Sequence, residues 1–127
     1  MSNRAVISTP DAPQAIGPYS QAVKVGNTVW LSGQIPLLPD TMEVVEGDIR
    51  AQATCVFRNL QAVAEAAGGS LNHAVKINIS LTDLDDFSTV NEVMADFLDE
   101  PYPARACVQV AALPRGAAIE VEAILAV

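Results

Sequence analysis

Histidine, cysteine and aromatic residues are scarce in this 127-residue sequence, and their scarcity argues against several classes of enzyme. The chain has one histidine, His73, two cysteines, Cys55 and Cys107, and only 5% aromatic residues. Zinc sites need clustered Cys and His at short spacings, and Ser-His-Asp or Cys-His catalysis needs a histidine on a rigid element. His73 lies in a predicted turn. No Cys/His cluster has zinc spacing and no clustered carboxylates indicate a divalent-metal cage, so no metal is expected. Neither GxGxxG nor GxxxxGK followed by Ser or Thr occurs, so no nucleotide cofactor is expected.

Basic residues are also few. Seven Lys and Arg face 15 Asp and Glu, for a formal net charge of −8. Nucleic acids and anionic lipid surfaces both bind basic proteins, so we expect neither partner. The sequence has no apolar run that resembles a signal peptide and none of the roughly 20 residues that a membrane span requires. A cytoplasmic location is therefore the default expectation.

The length, with no repeat or break in composition, predicts one domain over residues 1–127, and hydrophobic periodicity predicts an α+β fold. Alternation predicts strands over 19–25, 28–33, 75–81, 105–110 and 118–126, with Val75 facing inward like Ile77. Helical spacing predicts helices over residues 48–67 and 86–98, the first capped by Asp48. Gly26-Asn27 predicts a hairpin turn. This order of elements favours a mixed β-sheet with two helices packed on one face.

Two helices cover only one face of such a sheet. We expect the other face to carry the following residues, or their opposites: Ser20, Ala22, Ser32, Arg105, Cys107 and Glu120. So many small apolar groups cannot all be solvated, which predicts self-association through this face. A cleft between copies of the chain would follow.

The stretch PARACVQV, residues 103–110, contains the most informative polar side chain. A guanidinium is permanently charged and offers forked donors that match a carboxylate, so Arg105 is a candidate ligand-binding residue. The pattern alone favours the alternative, an arginine at a solvated strand end. Cys107 is on the same basis either a packing residue or a site thiol. Glu120 is either a site carboxylate or a solvated residue that shares its face with Glu122.

Six segments together resemble the Rid family of reactive intermediate deaminases, also called YjgF-like or endoribonuclease L-PSP proteins. They are AIGPYSQAV (15–23), WLSGQIP (30–36), QA…NLQAVAEAAG (52–68), DFSTVNEV (86–93), PARACVQVAALP (103–114) and IEVEAIL (119–125). The resemblance covers nearly the whole chain, and Arg-x-Cys in the fifth segment resembles the archetypal imine deaminase branch. It implies a chorismate-mutase-like fold and a homotrimer with an inner β-barrel and clefts between subunits.

The resemblance also implies roles for individual residues. Arg105 matches the carboxylate-binding arginine, Glu120 the glutamate that holds the attacking water, and Cys107 the cysteine beside them. The residues that match those lining the family's cleft are Tyr19, Ser32, Gly33, Phe87 and Asn91. The implied reaction is cofactor-free hydrolysis of 2-iminobutanoate or 2-iminopropanoate to a 2-keto acid and ammonia. A glutamate close to Arg105 is expected to have a lowered pKa and to be a poor base.

Other functions stay open from the sequence. A module that binds small carboxylates without turnover would use Arg105 and would not need Glu120. An endoribonuclease is suggested only by the older family name, and the negative charge argues against it. Tyr102 between two prolines and Gln109 depart from the family pattern, so the preferred imine is not predicted.

Overall fold

The chain folds into a six-stranded β-sheet with two helices on one face. The structure is a computed structural model that describes residues 3–127. The strands are β1 (Arg4–Ile7), β2 (Ala22–Val25), β3 (Thr28–Gln34), β4 (Ala74–Leu81), β5 (Ala104–Gln109) and β6 (Ile119–Ala126). The helices are α1 (Ile49–Ala66) and α2 (Phe87–Phe97). The strand order is β1-β2-β3-β6-β4-β5, and only β4 and β5 pair in parallel. The predicted α+β fold with a mixed sheet is confirmed. Residues 1–2 of the predicted domain lie outside the described residues.

Local signals position the first helix and the first hairpin as predicted. The Asp48 carboxylate accepts a hydrogen bond of 3.0 Å from the Ala51 N–H, which satisfies a donor of the first turn of α1. Gly68 follows the helix with φ 91°, a conformation that costs glycine little. Gly26, with φ 58°, lies in the two-residue turn between β2 and β3. These turns fix where β3 begins after β2 and where α1 ends.

The core lies between the helices and one sheet face. Aliphatic side chains dominate it, and the largest fully buried ones include Leu60, Val56, Val63, Val90, Leu71, Ile77, Ile79, Leu81, Ile119 and Leu125. Phe57 stacks on Phe97 with ring centroids 5.7 Å apart. Burying each such side chain contributes about 1.5–3 kcal/mol, so this layer holds the helices on the sheet. No helix within residues 3–127 has the length and apolar character that a bilayer crossing demands.

Three details differ from the sequence prediction. The strand β1 was not predicted, because four residues carry too short an alternation. The second strand begins at Ala22 rather than at residue 19. Val75 is 49% exposed instead of facing inward, since the β4–β6 register shifts between Ala74 and Lys76. A slip of one residue turns a side chain to the other face of a sheet.

The face opposite the helices is uncovered by the described chain and carries a row of apolar side chains. The row runs across β1, β2, β3 and β6 through Val6, Val23, Trp30 and Ile124. Trp30 is 54% exposed and Val6 63% exposed. We call this row the apolar strip. Exposed apolar surface of this kind is typical of an interaction site.

Candidate functional site

Arg105 lies on the helix-facing side of β5 and contacts α2. In the parallel β4–β5 pairing Arg105 is beside the core residue Ile77, so its side chain leaves the sheet on the side of the helices. The guanidinium donates a hydrogen bond to Oδ1 of Asn91, and its Cζ lies 4.9 Å from the centre of the Phe87 ring. Phe87 and Asn91 are one helical turn apart and therefore share a side of α2. No carboxylate in residues 3–127 forms an ion pair with Arg105.

A cavity of about 460 Å³ lies beside this guanidinium, and we call it the Arg105 cavity. Arg105 and Asn91 provide its polar wall, while Met94, Ala95 and Pro103 provide apolar wall. Tyr102 also lines it and is 54% exposed. An unpaired cation next to small apolar groups suits a short organic acid, with its carboxylate on the arginine.

Cys107 lies two residues along the same side of β5, next to Ile79 of the core. Burial raises the pKa of the Cys107 thiol, and the nearby charge of Arg105 offsets only part of that rise. A thiol with a raised pKa stays protonated near neutral pH and is a poor nucleophile. The structure therefore places Cys107 beside Arg105, as predicted, and gives it a packing environment.

Glu120 lies on the opposite face of the sheet, against an irregularity of β3. The β3–β6 register shifts between Leu31 and Gln34, and Ser32 and Gly33 occupy the shifted stretch. A Cβ on Gly33 would lie 2.9 Å from Oε1 of Glu120, so any side chain there would displace this carboxylate. Irregularities of this kind often re-aim side chains next to active sites.

A buried glutamine that the sequence analysis did not identify holds the segment that carries Tyr19. Gln21 is 4% exposed, and its Oε1 accepts a hydrogen bond of 2.7 Å from the N–H of Thr9. Its Nε2 donates to the carbonyl oxygens of Thr9 at 3.1 Å and Pro13 at 2.8 Å. Ser32 adds a bond of 2.5 Å from its Oγ to the carbonyl of residue 20. The sequence signal that could have identified Gln21 is a polar residue directly before an apolar strand. A buried amide at such a place needs hydrogen-bond partners for its polar atoms.

A second cavity of about 640 Å³ contains the Glu120 carboxylate, and we call it the Glu120 cavity. Its walls include Tyr19, Ser32, Gly33, Glu122 and Arg115 together with the apolar Ile16, Leu37 and Met42. Burial raises the pKa of Glu120, and the charge of Glu122 raises it further. The expectation that a nearby Arg105 lowers this pKa concerns two side chains in proximity, and it stays a prediction for the assembled site. Within the single chain the rise makes Glu120 a stronger proton acceptor.

The described chain does not bring Arg105 and Glu120 together. Arg105 is level with Ile77 of β4 and Glu120 with Ser80, and positions an odd number of residues apart point to opposite faces. The prediction that both lie on one face is therefore wrong. The predicted residues divide into a first set, Arg105, Cys107, Phe87 and Asn91, and a second set, Tyr19, Ser32, Gly33 and Glu120. Throughout the part of the chain described, no group of three or more His, Cys, Asp or Glu could hold a metal ion.

Comparison with known proteins identifies the fold family. The sequence model of the family described as Endoribonuclease L-PSP matches residues 9–127. The chain belongs to the endoribonuclease L-PSP family. Membership confirms the resemblance seen in the six segments, and it extends across almost the whole described structure.

Relatives in this L-PSP family are similar to the chain over nearly their full length. A 2-iminobutanoate/2-iminopropanoate deaminase from Dermatophagoides farinae is 50% identical over 127 residues, covering 100% of this chain and 99% of its own. The structure of RidA from Psychrobacter sp. PAMC 21119 is 60% identical, covers 97% of this chain and 99% of its own, and has a TM-score of 0.94. The structure of E. coli TdcF with bound serine is 45% identical, covers 97% and 98%, and has a TM-score of 0.92.

Proposed function

We propose that this L-PSP family member hydrolyses small 2-imino acids, such as 2-iminobutanoate and 2-iminopropanoate, to 2-keto acids and ammonia. The observation that carries the proposal is the guanidinium of Arg105, which faces a small cavity without a carboxylate partner among the described residues. A relative that is 50% identical over the whole chain bears the name of this activity. The TdcF structure contains serine, a small molecule with a carboxylate.

The proposed active site forms where the Arg105 cavity of one copy meets the Glu120 cavity of another. Neither cavity alone contains both Arg105 and Glu120. The apolar strip supports association, because Trp30 and Val6 would otherwise stay exposed to water. A homotrimer whose sheets enclose an inner β-barrel would cover the strip and build three such sites. Residues 1–127 act in it as one domain, and a cytoplasmic location stays a prediction.

The chemistry divides between the two halves of this site. Arg105 holds the substrate carboxylate through paired N–H···O bonds and so orients the carbon of the C=N group. Glu120 positions a water molecule on that carbon and accepts one of its protons. As the water oxygen bonds to carbon, the π electrons move to nitrogen, which takes up the proton that Glu120 accepted. In the resulting carbinolamine Glu120 transfers the hydroxyl proton to the amino nitrogen, the C–N bond breaks to release ammonia and the C=O bond forms, so water is the only co-reactant.

The catalytic demand on these groups is modest, because imines hydrolyse in water without an enzyme. Each reduction of about 1.4 kcal/mol in the barrier gives a tenfold acceleration. Orientation of the substrate and one general base can supply such reductions. Burial supports the role of Glu120, since its raised pKa strengthens it as a base. Cys107, with a raised pKa, contributes packing rather than attack.

The test is ammonia release from an imine that threonine dehydratase generates in situ. Arg105→Ala should reduce the assisted rate to the background rate, and Arg105→Lys should restore little, because an ammonium lacks the forked donors. Arg58→Ala is the matched control, since Arg58 is exposed on α1 and lines neither of the two cavities. Full activity in Arg105→Ala would refute the carboxylate clamp.

Two other functions have distinct signatures in the same variants. A non-catalytic module would bind 2-oxobutanoate and show no turnover in the wild type, and Glu120→Gln would leave its affinity intact. The family name offers RNA cleavage as another function, but a net charge of −8 opposes binding to a phosphate backbone. RNA cleavage that persists through purification and disappears in Arg105→Ala would favour the ribonuclease instead.

A further inference from the structure

Arg115 is a second arginine at the candidate site, and neither the sequence analysis nor the proposed mechanism assigns it a role. It lies in the short 3₁₀ turn Pro114–Gly116 and lines the Glu120 cavity. Of the described residues that line this cavity, Arg115 alone is cationic, whereas Glu120 and Glu122 are anionic. We propose that Arg115 is a specificity-determining residue that favours the entry of anionic imino acids into the Glu120 cavity. This inference rests on the proposed function.

The backbone of Arg115 is unusual for a residue with a side chain. Among residues 3–127 only Met42, with φ 61°, and Arg115, with φ 62°, combine a side chain with a positive φ. Such conformations are uncommon outside glycine, asparagine and aspartate, and they concentrate at ligand sites. Both residues line the Glu120 cavity. The turn thus holds the Arg115 side chain at the wall of this cavity at a conformational cost that packing elsewhere must offset.

The charges around the cavity explain why a cation there would matter. A monoanionic imino acid that approaches Glu120 also approaches Glu122, on a chain with a net charge of −8. Within the described chain Arg115 forms no ion pair, so its charge is not already neutralised by a carboxylate. A single unpaired charge beside the two glutamates offsets part of their repulsion of the substrate.

The roles of the two arginines are separable. Arg105 lies on the helix-facing side of β5 and contacts α2, whereas Arg115 belongs to the wall that carries Glu120. In the proposed site Arg105 comes from one copy and grips the carboxylate directly. Arg115 comes from the other copy and acts through the local potential. Loss of Arg115 should therefore weaken binding without slowing the chemical step, and the weakening should depend on salt.

The experiment uses Arg115→Asn, because asparagine tolerates a positive φ and carries no charge. At low ionic strength the KM for 2-iminobutanoate and the Kd for the stable product 2-oxobutanoate should rise about two- to fivefold, with kcat unchanged. The difference from the wild type should vanish at about 0.5 M NaCl, where screening is strong. Arg115→Lys should keep most of the wild-type affinity. Arg58→Gln makes the same change in net charge on α1 and should leave KM and Kd unchanged.

An unchanged KM and Kd at low salt would overturn the proposal, as would an equal rise in Arg58→Gln, which would indicate net charge rather than position. A fall in kcat at constant KM would also overturn it, since Arg115 would then belong to the chemical step. If the wild type does not hydrolyse the imine, the proposed function fails. The salt-dependent Kd for 2-oxobutanoate then still decides whether Arg115 attracts anions.

Discussion

Arg105 and Glu120 should act on one substrate molecule only across a contact between two copies of the chain. Their strands, β5 and β6, flank β4, and Glu120 is three residues from Ala123, the β6 residue level with Ile77 and Arg105. Two strand spacings of about 4.8 Å and three residue steps of about 3.3 Å give a backbone separation of about 14 Å. The side chains also leave opposite faces of the sheet. A four-carbon imino acid cannot contact both within one chain.

The perturbation is a mixture of two variants that should each be inactive alone, Arg105→Ala and Glu120→Gln. They are unfolded together in equal amounts and refolded so that their chains assort at random. If each site takes Arg105 from one copy and Glu120 from its neighbour, about a quarter of the sites in a random mixture contain both native side chains. The mixture should therefore recover about a quarter of the wild-type activity, whereas each variant refolded alone should recover none.

The assay follows 2-oxobutanoate formed from the in situ imine, with the uncatalysed rate subtracted. The control mixes Arg105→Ala with Asn91→Ala, two changes in the same half of the site. No assortment of those chains makes a site in which both side chains are native, so the activity of this mixture should equal the mean activity of the two variants refolded alone. If the activity of the Arg105→Ala and Glu120→Gln mixture also equals the mean of its two variants, the shared site is refuted, provided that wild-type protein survives the same refolding.

Changes at three other positions test the surroundings of these side chains. Glu122→Gln removes a charge that raises the pKa of Glu120, so Glu120 should ionise at lower pH and the acid limb of the pH–rate profile should move down. An unmoved limb would show that this ionisation does not control the rate. Cys107→Ala should retain activity above background, because burial raises the pKa of the thiol and keeps it protonated; complete loss would make the thiol catalytic. Gln21→Leu leaves backbone groups unpaired and should lower the free energy of unfolding in urea by about 1–3 kcal/mol, whereas an unchanged midpoint would show that the hydrogen bonds of Gln21 to Thr9 and Pro13 do not stabilise the fold.

The helices and five of the strands were predictable because their signals are local. Asp48 caps α1 by accepting from the N–H of Ala51, only three residues later, and Gly26 lies in the turn between the adjacent strands β2 and β3. The strand β1 is different, since Arg4 pairs with Val25, a residue far along the chain. Its four residues carry no pattern of their own. The inward prediction for Val75 failed for the same reason, because the irregularity that turns it outward depends on pairing with β6.

The site residues were predictable only one strand at a time. Alternation gives the relation between Arg105 and Cys107, which share a strand and a side, but it says nothing about how β5 is oriented relative to β6. That relation depends on the register of both strands against β4, which long-range packing determines. Gln21 and Arg115 were missed for related reasons. The hydrogen bonds of a buried amide and a positive φ both depend on how distant segments fold back.

The separation of the two halves has a chemical advantage. If Arg105 and Glu120 were in contact within one chain, they would form an ion pair that lowers the pKa of the carboxyl and occupies the guanidinium. On opposite faces, Arg105 donates to the Asn91 amide and lies over the Phe87 ring without a carboxylate partner among residues 3–127, and Glu120 keeps a raised pKa. The substrate carboxylate then meets a cation without a competing anion, and the water meets a carboxylate basic enough to accept its proton. Association between copies brings Arg105 to the substrate carboxylate and Glu120, through its water molecule, to the C=N carbon that is bonded to that carboxylate.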